Sequence, residues 1–310
     1  MHIAICLPAA DASPWIELFR AAIPEATFDL HEPNAQVRTH VPRADYAIAA
    51  WPSDTFFVEQ PSPKAVFTLS AGVRHVLRMA HLPSAPVVRI EDAGMAAQMV
   101  RYAVTAAMQF VQRLHVYRAQ QHARVWQQHA ARAPSDVECG VLGLGVMGEA
   151  IARALVAQGF KVRGYSRGPK SIEGVRCLCG DVDAFLSGVD VLVNVLPSTG
   201  ATAGLLGRAA LLRLNDGAYL VNMGRGDILV DEDLVALIDS GKLGGATLDV
   251  FRPEPLPASH PFWSRPTITM TPHVAGLTVP DEAVSQIAHK IRAMERGEPV
   301  TGVVDVAQEY

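Results

Sequence analysis

Three polar side chains in an otherwise apolar-rich chain could together do acid–base chemistry on an anion: Arg225 in "NMGRGD", Glu254 in "RPEPLP" and His273 in "TPHVAG". Arginine stays ionised and grips a carboxylate through a planar fork of donors. Histidine moves protons near neutrality, and a carboxylate beside it favours the imidazolium, which keeps a proton donor loaded. Singly, each has an ordinary reading: Arg225 as a salt-bridge or helix-end arginine, Glu254 as a loop carboxylate before Pro255, His273 as a satisfied loop histidine after Pro272. Their combination singles them out.

A second constellation is made for phosphate. Gly143, Gly145 and Gly148 form G-x-G-x-x-G directly after an apolar strand pattern and directly before an Ala-rich helix pattern. Gly143 permits the tight turn, Gly145 lets backbone approach a pyrophosphate, and Gly148 lets helix and strand pack closely, with the helix N-terminus offering amide donors. Val146 and Met147, between the glycines, count with the cofactor contacts. About 20 residues on, an NAD-binding chain shows an acidic residue for the ribose. Here "GYSRGPK" offers Ser166, Arg167 and Lys170 instead. That chemistry suits a ribose 2′-phosphate, so NADPH (NADP) is preferred over NADH.

Elements must hold these groups. "HIAICL", "ATFDL", "DYAIAAW", "AVFTLS" and "PVVRI" alternate with helical stretches, the rhythm of a parallel α/β sheet. Ser13 before Pro14 predicts the start of the first helix. From Met95 to about Gln121 no Gly or Pro interrupts a helical pattern, which predicts one long helix. His115, His122 and His129 recur at sevens in polar surroundings and are expected on a solvated face rather than around an ion. A second sheet begins at "CGVLGLG", with further strands in "VDVLVNVLP", "GAYLVNMG", "GATLDVF" and "TITMTPH". "DEDLVALIDSG" is a helix closed by Gly241.

Composition narrows the function classes. The 310 residues are 49% hydrophobic and 19% charged, enough for two cores. A net charge of -4, from 27 basic and 31 acidic residues without long blocks, advertises no nucleic-acid or membrane surface. No apolar stretch reaches the ~20 residues of a membrane helix, and the N-terminal "MHIAICLPAA" lacks a basic leader, so no signal peptide is expected. Four cysteines without a spaced framework favour a cytoplasmic protein, and "RCLCG" lacks the partner ligands of a zinc site; no metal is expected.

Taken together, the glycine motif, "NMGRGDILVDEDLVAL", "LDVFRPEPLP", "TPHVAG" and "WSRP" resemble the D-isomer-specific 2-hydroxyacid dehydrogenases over nearly the whole chain. "EDAGMAAQMVRYAV", "YSR" and "VTGVVD" point to bacterial reductases within it. The resemblance implies two flavodoxin/Rossmann-like α/β domains: a substrate domain of residues 1–94 plus 280–310, and an NADP-binding Rossmann domain of residues 95–279 inserted into it. It implies reduction of a small 2-keto acid, glyoxylate to glycolate or hydroxypyruvate to D-glycerate, with the substrate in a cleft; the alternatives are a bulkier 2-keto acid on the same machinery or a non-catalytic dinucleotide-sensing binding protein. In it Arg225 contacts the substrate carboxylate and carbonyl, His273 acts as acid or base, and Glu254 holds the histidine. "SAGV" resembles a carboxylate loop in which Ala71 and Gly72 donate amides, and Trp51 suits a pocket wall or the core equally. Leu196 and Pro197 pass the nicotinamide ribose, Met223 and Gly224 join the cofactor wall, and Asp249 meets the nicotinamide carboxamide. The long helix from Met95 resembles a homodimerisation element. Two positions depart from the family pattern: Arg74, where Asp is frequent, and Gly224, where Ala is common.

Overall fold

Runs of aliphatic and β-branched residues build two separate parallel sheets in the computed structural model, which describes residues 1–33 and 35–306. The chain divides into one unit of Met1–Gly94 with the segment from Thr278 onward, and a second of Met95–Leu277. Residues 307–310, included in the sequence-based bounds of the first domain, lie outside the described residues.

The first unit carries β1 (His2–Cys6), α1 (Ala9–Ala22), β2 (Thr27–His31), β3 (Tyr46–Ala49), α2 (Asp54–Glu59), β4 (Ala65–Thr68), α3 (Arg74–Leu77) and β5 (Val87–Val88). Its strands lie in the order β2-β1-β3-β4-β5, all parallel, the flavodoxin-like arrangement. β3 and β4 are buried along their length, as strands covered on both faces must be. Helix α1 begins at Ala9, behind Pro8, and runs through Pro14, so Ser13 lies inside it and is not its cap. The sequence-based start is wrong because Pro14, although it lacks an N–H, still has the φ a helix needs.

The second unit contains α4 (Met95–Val111), α5 (Leu114–Ala123), β6 (Glu138–Leu142), α6 (Val146–Ala157), β7 (Lys161–Tyr165), β8 (Val175–Leu178) and α7 (Val182–Leu186). It continues through β9 (Val191–Asn194), α8 (Arg208–Leu212), β10 (Ala218–Asn222), α9 (Asp231–Asp239), β11 (Leu243–Leu248) and β12 (Ile268–Met270). The parallel order β12-β11-β10-β9-β6-β7-β8 reverses direction at β6 and β9, the switch point at which Rossmann sheets bind dinucleotides. Alternate residues feed two cores: Cys139, Val141, Val191, Val193, Tyr219 and Val221 face one, Leu142, Leu192, Ala218 and Leu220 the other. Gly241, at φ +77°, follows α9 and ends it as expected. Helix α10 (Pro280–Glu295) rejoins the first unit and packs on α1. Its Glu295 accepts hydrogen bonds from Tyr46 Oη at 2.6 Å and Lys64 Nζ at 2.7 Å.

The single helix expected from Met95 to Gln121 is broken. Arg113 adopts a left-handed backbone, φ 54° and ψ 30°, and its amide reaches back only to Phe110 O. Such a conformation costs a non-glycine residue about 1–2 kcal/mol. The redirected α5 offsets that cost by burying His115, 3% exposed, against Phe110 at 5.6 Å and Tyr219 at 5.0 Å between ring centroids. His115 therefore leaves the solvated face predicted for it. His122 is exposed, and His129 pairs with Gln120 at 2.8 Å. All four cysteines are free thiols, with Cys6 and Cys139 buried. No helix among the described residues is long and apolar enough to cross a membrane.

Burial, reinforced by Arg132, Arg118 and Arg113, pulls the His115 imidazole down to about 4. The unfolded chain takes up a proton below its ordinary value of about 6.5, whereas the fold holds the ring neutral. This contribution is complete above that value and is lost as pH falls towards 4, by up to about 3 kcal/mol. Denaturant midpoints measured from pH 7 to 4 should fall less steeply for His115→Phe than for the native chain; parallel slopes would rule this group out.

Candidate active site

The phosphate-type turn is built from its three glycines in different ways. Gly143 leaves β6 at φ +106°, a left-handed conformation that glycine tolerates, while its amide donates to Tyr165 O at 3.0 Å. A Cβ on Gly148 would lie 1.7 Å from Gly143 O, so only glycine lets α6 start against the turn. Gly145 is different: a Cβ there would meet nothing within 4 Å. It caps α6 with no side chain bonded to the helix amides, and Val146 beside it is 58% exposed, with Met147 half-buried. Open backbone at a helix N-terminus fits a pyrophosphate.

At the end of β7 the Ser166 amide donates to Leu178 O and its hydroxyl to Gly168 O at 2.8 Å, which curls "SRG" into a turn. Arg167 is exposed on it. Lys170 reaches back to the glycine turn, donating from Nζ to Leu144 O at 2.5 Å with Glu149 at 3.8 Å. The structure thus brings Ser166, Arg167 and Lys170 to one side of the glycine motif.

The exits of β9 and β10 are joined by an amide pair that sequence reasoning missed. Asn194 Nδ2 donates to Asn222 Oδ1 at 2.9 Å, and both residues are fully buried. Asn194 Oδ1 accepts from Leu196 N, Asn222 Oδ1 from Gly224 N, and Asn222 Nδ2 donates to Arg225 O. The pair therefore sets the course of Leu196–Pro197 and of Met223–Arg225 together. Its signal was the repeated "LVN" closing both apolar strands. A Cβ on Gly224 would lie 2.7 Å from Leu196 O, and one on Gly226 would lie 2.1 Å from the Phe251 carbonyl carbon. Arg225 is threaded between two backbone crossings, which explains the glycine on each side and the departure from alanine at 224.

Arg225 is half-buried and donates from Nη1 to Gly224 O at 2.6 Å. Burial pulls its guanidinium below the usual arginine range, opposed by the charges of Glu254 and Asp227. His273 Nδ1 lies 2.8 Å from Glu254 Oε2, and Glu254 Oε1 accepts from Phe251 N at 2.8 Å. A carboxylate anchored at one oxygen and facing Nδ1 with the other makes Nδ1 the donor and leaves Nε2 for other chemistry. His273 itself sits at φ +57° with its amide on Asp249 O at 2.8 Å. Asp249, 1% exposed, takes Thr271 Oγ1 and Val274 N on Oδ1 and Ala275 N on Oδ2. Its carboxylate is committed to the loop that bears His273, a role the sequence did not disclose.

In the first unit, Trp51 is 63% exposed, so it is not a core residue; its carbonyl accepts from Cys6 Sγ at 3.2 Å. Ala71 and Gly72 are half-buried in a loop bent by a 2.7 Å bond from Ser70 Oγ to Gly72 O. Arg74 opens α3 directly after it.

Residues 104–275 match the family model described as "D-isomer specific 2-hydroxyacid dehydrogenase, NAD binding domain". The chain belongs to the D-isomer specific 2-hydroxyacid dehydrogenases. Members named glyoxylate/hydroxypyruvate reductase A are similar over the full length of both chains, at 40% identity in Photorhabdus laumondii and 37% in Yersinia enterocolitica. A 2-hydroxyacid dehydrogenase of Xanthobacter autotrophicus, solved with NADPH and MES, is 34% identical with a TM-score of 0.91, covering 99% of each chain. An NADPH-dependent glyoxylate/hydroxypyruvate reductase of Sinorhizobium meliloti, solved with NADP and sulfate, is 32% identical with a TM-score of 0.88, covering 100% of this chain and 99% of that one. As a 2-hydroxyacid dehydrogenase the chain is an NAD(P)-dependent oxidoreductase, and its glycine turn fits that dinucleotide.

The contrast between two glycines tests this fit. Gly145→Ala should fold with an unchanged thermal midpoint yet bind NADP(H) at least about tenfold more weakly, because its Cβ occupies the space a pyrophosphate needs. Gly148→Ala should instead lower the midpoint, overpacking costing about 1–3 kcal/mol or more. Equal dinucleotide affinity for Gly145→Ala and the native chain would show that phosphate does not approach there.

Proposed function

We propose that this 2-hydroxyacid dehydrogenase is an NADPH-dependent reductase of small 2-keto acids, converting glyoxylate to glycolate and hydroxypyruvate to D-glycerate. The observation that carries the reading is the 2.8 Å His273–Glu254 pair in the same unit as Arg225 and the glycine turn. The names of the full-length relatives support the substrate class. The nicotinamide, when bound, supplies the hydride that reaches the carbonyl carbon. Arg225 grips the carboxylate and faces the carbonyl oxygen, where negative charge develops as the hydride arrives. His273 gives that oxygen its Nε2 proton, and Glu254 holds Nδ1–H and so keeps Nε2 directed outward. Oxidation runs the proton the other way, with neutral His273 as acceptor. In the first unit the Ala71 and Gly72 amides serve as carboxylate donors and Trp51 as an apolar contact.

Cofactor preference rests on Ser166, Arg167 and Lys170, whose donors and charge suit a 2′-phosphate. Leu196, Pro197, Met223, Gly224 and Asp249 are assigned to the nicotinamide side. Free thiols in all four cysteines accord with a cytoplasmic location.

The chain is further proposed to form a homodimer through α4 and the segment after α5. In that segment Trp126 is 100% exposed and Val125 is 48% exposed, while His129 holds its base by donating its amide to Tyr117 Oη at 3.2 Å. An unburied tryptophan on a tethered segment favours a protein surface over water.

Steady-state kinetics on glyoxylate, hydroxypyruvate, pyruvate and bulkier 2-keto acids, each with NADPH and NADH, should give the highest kcat/KM for the first two with NADPH. A bulkier substrate in front, or NADH, overturns the respective assignment. His273→Gln should lose about 10²–10⁴-fold in kcat with NADPH binding spared. Light scattering should report a dimer for the native chain and a shift towards monomer for Trp126→Glu; a native monomer refutes the interface.

A further inference from the structure

The loop Thr271–Ala275 holds His273 in a left-handed conformation, and the donors that tie this loop to Asp249 come from the residues around His273 rather than from its side chain. The carboxylate of Asp249 accepts from Thr271 Oγ1 at 2.6 Å, Val274 N at 2.8 Å and Ala275 N at 2.9 Å. Behind Thr271 stands a further hydroxyl: Tyr102 Oη, on α4, lies 2.6 Å from Thr271 Oγ1. A threonine hydroxyl has one hydrogen, and an ionised carboxylate can only accept. The hydrogen of Thr271 therefore goes to Asp249, and Tyr102 must donate to Thr271. Burial pushes the Tyr102 phenol up to about 12, so it keeps that hydrogen throughout the neutral range. The result is a directed chain from α4 through Thr271 to the carboxylate that also holds the two loop amides following the histidine.

We infer that Tyr102 and Thr271 are positioning residues for proton transfer, acting through Asp249 to hold the His273 loop in register with its Glu254 partner. The inference rests on the proposed role of His273 as proton donor. Neither hydroxyl touches substrate or dinucleotide in this scheme. Their effect is geometric: a left-handed residue in an exposed loop stays there only while its surroundings over-determine it. Without Thr271 one acceptor position of Asp249 falls vacant and Tyr102 loses its acceptor. The carboxylate can then turn away from Val274 N, and the histidine drifts from its working position. Arg225 is fixed separately, by Asn222 and the glycine crossings, so the anion grip is untouched.

The experiment is a set of variants read by kinetics and by amide exchange. Thr271→Val, which keeps shape and loses the hydroxyl, should lower kcat by about 10–100-fold, the scale of a small misplacement of a reacting group. KM for the keto acid should stay within about threefold. Thr271→Ser restores the hydroxyl and should recover kcat to within about threefold of the native chain. Tyr102→Phe should lower kcat by about 3–10-fold, with no further loss when added to Thr271→Val, since the two act in series. The amides of Val274 and Ala275 should exchange faster in Thr271→Val while those of β10 do not. A native kcat in Thr271→Val, or a Thr271→Ser as impaired as Thr271→Val, overturns the inference. If Thr271→Val does not fold, Tyr102→Phe decides: unchanged kcat overturns it and a fall in kcat at constant KM supports it. His273→Gln separates the two levels, because full activity there removes the proton-donor reading itself, whereas an inactive His273→Gln beside an unaffected Thr271→Val removes only the positioning chain.

Discussion

A carboxylate at the carboxyl edge of the second sheet, 1% exposed, constrains the geometry of the site. Asp249 directly follows β11, and an ionised group in that position is tolerated only if donors surround it. Those donors come from one short segment after β12, which must fold back over the strand ends to supply them. His273 is carried in that segment, and its backbone conformation follows from where the neighbouring amides have to point. The geometry of the loop that carries His273 is thus set by the need to satisfy one buried charge.

The neighbouring strands show the same logic with neutral groups. Asn194 and Asn222 bond each other at the ends of β9 and β10, and each also bonds the chain leaving its own strand. This lets the backbone at Leu196 and Gly224 approach so closely that a side chain at 224 has no room. Buried polar networks of this kind rigidify when every member is paired. Arg225 emerges from the tightest point of the crossing, so its guanidinium inherits a fixed origin while its long stem stays adjustable.

The groups proposed to do the chemistry were legible as candidates because that chemistry depends on residue type and order: the glycine turn, "YSR", and Arg225, Glu254 and His273. The parallel sheets were legible because strands covered on both faces leave apolar runs, as in "YAIA" and "VLVN". What escaped were features decided by tertiary contact. Nothing in "QRLHVYR" marks the turn at Arg113, because its cause lies in Phe110 and in Tyr219 on β10, which receive His115. The same distance in sequence hid Tyr102 from Thr271. Ser13 misled because a cap signal is local, and the helix had already begun behind Pro8. Trp51 lost its core reading only once its exposure was known.

The lysine that follows the Gly-Pro bend gives the second strand a stake in the first turn. Lys170 spends one donor on Leu144 O, inside the glycine motif, and is flanked by Glu149 of α6. The segment proposed to read the adenosine end is therefore bolted to the glycine turn proposed to cradle the diphosphate. Engineering a switch of coenzyme by exchanging only Ser166 and Arg167 would leave this bolt in place, a positive charge aimed at the same region. Removing it as well would loosen the turn on which either coenzyme depends. On that assignment coenzyme choice and coenzyme grip form one mechanical unit, and a redesign would have to supply a neutral donor to Leu144 before it could discard the charge.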